Sequence, residues 1–210
     1  MSIARDGWPY ILALVALAVV AWFLQWPWVA GVLLALGAFV TYFFRDPRRI
    51  TPDGQRLVVA PGDGKIVRVV PAAADGSEGS QLSIFLSIFD VHINRAPIAG
   101  QVTAVEYNKG SFLPAFDDKA SLKNEQNRVT VEGAAGTVTF TQIAGLIARR
   151  IVCRKRPGDS VTAGERVGMI KFGSRVDVFL PPGAALRVAR GDRVAGGETV
   201  IAELPEPSGE

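Results

Sequence analysis

Val167-Gly-Met-Ile-Lys-Phe-Gly-Ser-Arg-Val-Asp-Val-Phe-Leu180 decides how the rest of the chain is read. Val167 and Met169 before Gly173-Ser174, and Val176, Val178 and Leu180 after it, recur at period two, the spacing of a half-buried β-strand. The phase shifts by one residue between the two sets, so the dipeptide is expected to mark a bulge or a close backbone approach. Gly-Ser alone says little, because Gly76-Ser77, Gly79-Ser80 and Gly110-Ser111 also occur, with turn residues nearby.

The flanks of this stretch repeat. Gly158-Asp-Ser-Val-Thr-Ala-Gly-Glu-Arg-Val167 matches Gly191-Asp-Arg-Val-Ala-Gly-Gly-Glu-Thr-Val200 at both glycines, Asp, Glu and both valines. Two turn-and-strand units in one register predict a mainly β fold, a β-sandwich or flattened barrel with a lipoyl/biotinyl-like internal repeat. No lysine stands in the setting those carriers need, which argues against a swinging arm. Upstream, Leu57–Ala60, Gly64–Val70, Gln81–Phe89, Gly100–Tyr107, Arg128–Val131, Gly136–Ile143 and Leu146–Val152 read as further strands, punctuated by glycine and proline. Lys109–Asn127 lacks such a period; a loop of that length is a lid, a substrate-binding loop or a disordered segment. Phe112, Phe116, Asn124 and Glu125 are its candidate substrate-binding residues.

From Trp8 to Phe44 the chain is almost wholly apolar, interrupted at Gln25-Trp26-Pro27-Trp28. Proline breaks a continuous helix there, which predicts two helices, Trp8–Leu24 and Trp28–Phe44. At about 25 Å each they stand at the lower limit for crossing a bilayer, so a two-span hairpin and a dip into one leaflet both remain open. Arg5 before the pair and Arg45, Arg48 and Arg49 after it put both ends on the cytoplasmic side of the membrane. The expected division is a membrane-anchoring hairpin at 1–49 and a β domain at 50–210.

With 49% hydrophobic residues, part of the chain is expected to meet lipid, and a net charge of only +3 does not argue for nucleic acid. One cysteine, Cys153, excludes an internal disulfide, and one histidine, His92, leaves no Cys/His cluster for zinc, so no metal site is expected. Five cations in Arg149-Arg-Ile-Val-Cys-Arg-Lys-Arg156 suit either anionic headgroups or a solvated strand edge. A serine beside a peptide carbonyl can cut its own backbone if the hydroxyl is activated and the backbone strained, and glycine on the acyl side makes unusual φ inexpensive.

Gly168-Met-Ile-Lys-Phe-Gly-Ser-Arg-Val-Asp-Val-Phe-Leu-Pro181 closely resembles the processing site of short, bacterial-type phosphatidylserine decarboxylase proenzymes. Pro61-Gly-Asp-Gly64, Ser87-Ile-Phe-Asp-Val-His-Ile-Asn-Arg-Ala-Pro97, Lys123-Asn-Glu-Gln-Asn127 and Gln142-Ile-Ala-Gly-Leu-Ile-Ala-Arg-Arg150 match as well, so the resemblance covers nearly the whole chain. It implies cleavage between Gly173 and Ser174 into chains 1–173 and 174–210. Ser174 would become a pyruvoyl group that forms a Schiff base with the amine of phosphatidylserine, releasing CO2 and leaving phosphatidylethanolamine. His92 matches the histidine implicated in decarboxylation, and Asp63 the acidic residue that helps to activate the serine. The second histidine of the longer members' Asp-x-His-x-x-His-x-Pro motif, assigned to self-cleavage, falls on Arg95. Either His92 then serves both steps, or strain and Asp63 suffice. The implied partners are membrane phosphatidylserine and the two chains of one proenzyme; homo-oligomerisation is left open. The residues by themselves also allow a second reading, a non-catalytic membrane-tethered β-domain that binds a lipid or a partner protein.

Overall fold

The computed structural model describes residues 2–73, 79–110, 124–145, 150–171 and 173–206. Phe112, Phe116 and residues 146–149 of the expected strand Leu146–Val152 lie outside them. The chain divides into two compact units, Met1–Arg48 and Arg49–Glu210.

In the first unit α1 (Trp8–Phe23) and α2 (Pro27–Phe43) pack against each other, and β1 (Ser2–Ile3) pairs antiparallel with β2 (Arg45–Asp46). The break falls where proline dictates: Pro27 opens α2, a position that needs no N–H, and Gln25 before it takes φ of 61°. Large apolar side chains such as Leu12, Trp22, Phe23 and Trp28 stay exposed. By length and composition, Arg5–Phe23 (19 residues, mean hydropathy 1.7) can cross a membrane, whereas α2 is a shorter apolar helix.

Among its described residues the second unit is built of β-strands. In chain order its strands are β3 (Leu57–Val59), β4 (Gly64–Val70), β5 (Gln81–Leu86), β6 (Ile93–Arg95), β7 (Gly100–Asn108), β8 (Gln126–Gly133) and β9 (Gly136–Ala144). There follow β10 (Ile151–Cys153), β11 (Ser160–Val161), β12 (Arg166–Ile170), β13 (Ser174–Phe179), β14 (Ala185–Leu186), β15 (Arg193–Val194) and β16 (Val200–Glu203). Instead of a sandwich or closed flattened barrel, eight strands in the order β11-β7-β8-β9-β13-β5-β4-β15 form one antiparallel sheet curled into a half-barrel. Two three-stranded sheets, β10-β12-β6 and β14-β16-β3, complete the unit. The inward residues of the large sheet, among them Ile66, Ile84, Val129, Phe140, Val176 and Val178, form one core with Val58 and Ile201 of one small sheet and Val167 and Ile170 of the other. β5 ends earlier than its apolar run because the Asp90 carboxylate accepts hydrogen bonds from the Ser87 N–H and hydroxyl, closing a turn.

The internal repeat reappears as matched hydrogen bonds. Gly158 N–H donates to the Val102 carbonyl, and Gly191 N–H donates to the Ile66 carbonyl. Gly164 N–H donates to the Ala96 carbonyl, and Gly197 N–H donates to the Ala60 carbonyl. Its targets reveal a second, weaker repeat: Ala60-Pro-Gly-Asp-Gly64 and Ala96-Pro-Ile-Ala-Gly100 both turn the chain from a short strand into a long strand of the half-barrel. Each long strand then carries an irregularity at the same place, between Ile66 and Arg68 and between Val102 and Ala104.

Candidate active site

The strand expected to run through Gly173-Ser174 is two strands in different sheets. β12 belongs to the small sheet with β6 and β13 to the half-barrel, so the chain changes sheets between Ile170 and Ser174. The phase shift in the sequence is this crossing rather than a bulge. Gly173 has φ of +58°, and a Cβ there would meet nothing within 4 Å. Space does not demand glycine at this position; the left-handed backbone does.

Ser174 opens β13 between two neighbours, facing Leu86 on β5 and Ala144 on β9. It is fully buried, and its Oγ has no hydrogen-bond partner among the described residues. Leaving a buried hydroxyl unpaired costs about 1–3 kcal/mol. A buried hydroxyl left without a partner in a native fold is the kind of unmet polar group that a catalytic role explains.

His92, also fully buried, precedes β6. Its Nδ1 lies 3.0 Å from the Asp90 carbonyl and its Nε2 lies 3.2 Å from the backbone nitrogen of Gly173. A carbonyl only accepts and a backbone N–H only donates, so these partners select the neutral tautomer with its proton on Nδ1. The Nε2 lone pair therefore points at the residue before the serine. Asp90 does not orient His92 through its carboxylate, which is taken by Ser87 and by Arg193 Nη1 at 3.2 Å.

Asp63 is held elsewhere. Both its carboxylate oxygens accept from Arg49 Nη2, at 2.7 and 2.8 Å, and the Gly196 N–H donates to Oδ1 at 2.8 Å. Burial pushes its carboxyl above the ordinary aspartate value, opposed by the Gly196 N–H and the Arg49 charge, while the nearby Asp90 charge adds to the rise. Arg49 Nη1 also reaches Glu198 at 2.8 Å. Arg95, standing where a second histidine would be expected, donates from Nη1 to the Gly164 carbonyl at 2.9 Å.

Of the loop candidates, Asn124 and Glu125 frame the strand beside the serine. Asn124 Nδ2 donates to the Ala144 carbonyl at 2.7 Å, and the Ala144 N–H donates to the Glu125 carbonyl at 3.0 Å. The Glu125 carboxylate accepts from the Ile151 N–H at 3.4 Å. Sequence reasoning missed Arg49 and Glu198 as the partners that fix Asp63. It also missed the buried amides Asn94, Asn127 and Gln142, although the last two stand at the inward phase of strands whose other inward residues are Val129, Val131, Val138 and Phe140. A polar side chain at a core phase was the available signal.

Comparison with known proteins supplies a context for this geometry. A family model described as phosphatidylserine decarboxylase matches residues 36–202. The chain is 51% identical over 204 residues to the phosphatidylserine decarboxylase proenzyme of Solibacter usitatus, covering 96% of this chain and 97% of that one. It is 47% identical over 214 residues to the proenzyme of Burkholderia mallei (97% and 96% covered) and 45% identical over 205 residues to that of Paraburkholderia phymatum (96% and 97% covered).

Proposed function

The chain belongs to the phosphatidylserine decarboxylase family, and from that premise we propose that it cuts its own Gly173–Ser174 bond and works from the group left at position 174. Its activity is the decarboxylation of phosphatidylserine to phosphatidylethanolamine and CO2. One observation carries the choice of bond: the orphaned, buried Ser174 Oγ directly follows a residue at φ +58° whose N–H touches His92 Nε2.

In the cut, Oγ attacks the Gly173 carbonyl carbon as its proton passes to a base, and the carbon–nitrogen bond breaks to give an ester and a free amine on residue 174. Loss of the Cα proton expels Gly173 as a carboxylate from Cβ; water then replaces the nitrogen, which leaves as ammonia. One water is consumed, and residue 174 ends as a pyruvoyl group. That group supplies a carbonyl that takes up the substrate amine and accepts the electrons left behind when CO2 departs. The orphaned Oγ fits this outcome, because the cut removes the hydroxyl that the fold leaves unsatisfied.

His92 is the base we assign to the cut. The Asp90 carbonyl holds its Nδ1 proton and leaves Nε2 as an acceptor one residue from the hydroxyl; after the cut the same nitrogen is placed to carry a proton to the substrate carbon. Arg95, committed to Gly164, has no part in proton transfer. Asp63 acts through position, anchoring the corner next to Asp90. The paired turns, similar to those of lipoyl and biotinyl carriers, serve as a rigid frame. The apolar pair α1 and α2 would hold the unit at the bilayer, on the cytoplasmic side by the arginines that flank it, since phosphatidylserine leaves the membrane only at high cost.

Intact mass tests the reading. The wild-type chain should give two pieces corresponding to 1–173 and 174–210, and Ser174→Ala should remain one 22.4 kDa chain without activity. Two chains from Ser174→Ala would sink the assigned bond. His92→Ala should remain uncut; a cut but inactive variant would confine His92 to decarboxylation.

A further inference from the structure

Three motifs of the chain meet in a place the reaction does not use. Asn127 Nδ2 donates to Gln142 Oε1 at 2.9 Å, Gln142 Nε2 donates to Asn94 Oδ1 at 2.8 Å, and Asn94 Nδ2 reaches the Pro61 carbonyl at 3.5 Å. All three side chains are at most 2% exposed. The Arg95 N–H donates to the same Pro61 carbonyl at 2.9 Å. Donors thus run in one direction from β8 through β9 to β6 and the Pro61 corner.

Two members of this relay, Gln142 and Asn94, lie beside the two reacting partners. Gln142 faces Val176 on β13, two positions along β9 from Ala144, which faces Ser174. Asn94 stands two residues after His92 on the small sheet. Between sheets, apolar packing is non-directional and tolerates small slips, whereas a chain of amides closes only at one register. Well-packed apolar side chains can match the stability of buried polar ones, so stability alone does not account for three amides here.

We propose that Asn127, Gln142 and Asn94 are positioning residues that fix the register between the half-barrel and the β6 sheet, so that His92 Nε2 meets residue 173. The proposal rests on the reading of Gly173–Ser174 as the self-cleaved bond with His92 beside it. A register error of about 1 Å can slow such a step by roughly a hundredfold, far beyond what a modest loss of stability does to a chain that remains folded.

The test is pulse-labelling of the full chain in cells, following its conversion into two pieces, with the folded fraction measured by protease resistance. Gln142→Leu and Asn94→Leu should slow conversion at least roughly tenfold relative to wild type. Val131→Ala, a core truncation on β8 away from the relay, serves as the control and should convert at close to the wild-type rate for a similar loss of stability. In whatever fraction matures, the relay variants should show lowered kcat with KM unchanged. Equal conversion rates in relay and control variants would overturn the proposal. If the leucine variants fail to fold, Asn127→Ser, which shortens only the far end, takes their place and should show a smaller slowing with the same kcat signature; conversion matching the control again overturns it. Failure of the wild-type chain to cut between 173 and 174 would instead remove the underlying reading, and fragment mass tells the two failures apart.

Discussion

Ala60-Pro-Gly-Asp-Gly64 and Ala96-Pro-Ile-Ala-Gly100 turn equivalent corners of the β unit, each capped by one copy of the Gly-Asp repeat. Their frames agree down to the glycine N–H groups that bind them, yet their charges do not. The first corner carries Asp63, clamped by Arg49 with Glu198 of the later copy behind it; the second carries exposed Ala99, and the matching Glu165 of the earlier copy pairs with Lys155. A repeated frame lets one corner be modified while its twin preserves the shape, and the modified corner is the one whose aspartate feels Asp90, the residue that holds His92.

Exchanging the corner residues is the most forceful way to break this comparison. Asp63→Ala should cost about 2–3 kcal/mol, because it strips a largely buried guanidinium of its bidentate partner and leaves the Gly196 N–H without an acceptor. Ala99→Asp, at an exposed position, should change stability by less than about 0.5 kcal/mol. Unfolding midpoints in detergent for the two variants give the contrast directly, and equal shifts would mean that the corners are not differentiated.

The glycines of the two copies sharpen the comparison at the next level. All four have positive φ, but a Cβ on Gly164 would meet Thr51 Oγ1 at 2.0 Å and one on Gly197 would meet Arg95 Cδ at 2.7 Å, while Gly158 and Gly191 have open space. Alanine at Gly158 or Gly191 should therefore cost about 1 kcal/mol from backbone strain, equally in both copies. At Gly164 or Gly197 the added contact should raise this to roughly 2 kcal/mol. Unequal costs at Gly158 and Gly191 would show that the copies are less alike than their hydrogen bonds.

How much of this was legible beforehand differs by element. The long strands were read closely, β4 with its bounds, because alternation is a local signal. The helix break at Pro27 was equally local. The half-barrel was not foreseen, since which strands pair, and that β12 and β13 part company at Gly173, depends on long-range register that a single sequence does not display. Ser174 and His92 were marked by the family resemblance and by no local period, and the structure brings residue 173 to His92. Asp63 was chosen the same way, but its clamp by Arg49 joins positions whose contact no periodicity reveals.

The smallest expected effect concerns acid. Glu198 is held below the ordinary glutamate value, first by the Ile50 N–H and then by Arg49; Glu165 is held below it mainly by Lys155. A carboxylate lowered in the folded state contributes stability that is complete above its unfolded value, near 4.5, and is lost as pH falls through the folded value. Glu198→Gln and Glu165→Gln should each flatten the acid limb of a stability-versus-pH curve, by under about 1 kcal/mol because both side chains are about one-third exposed. Asp63, raised by burial, has the opposite sign: it gains stability as pH falls through its folded value, so Asp63→Asn should steepen the limb. Parallel behaviour of the two glutamates with reversal at Asp63 would show that Asp63 is what sets the two corners apart on the acid limb.

β13 lies in the middle of the half-barrel, gripped along its whole length by β5 and β9. If the chain opens just before it, the smaller piece owns a central strand of the half-barrel, its edge strand β15, and two of the three strands of a small sheet, β14 and the middle strand β16, so the two pieces are woven through each other. Folding is then unimolecular before the cut and bimolecular after it. A mature molecule that once unfolds must find a partner at cellular dilution, and its survival is governed by how slowly it opens rather than by how favourably it closes. The proenzyme would be the form that folds, and the enzyme a form that persists.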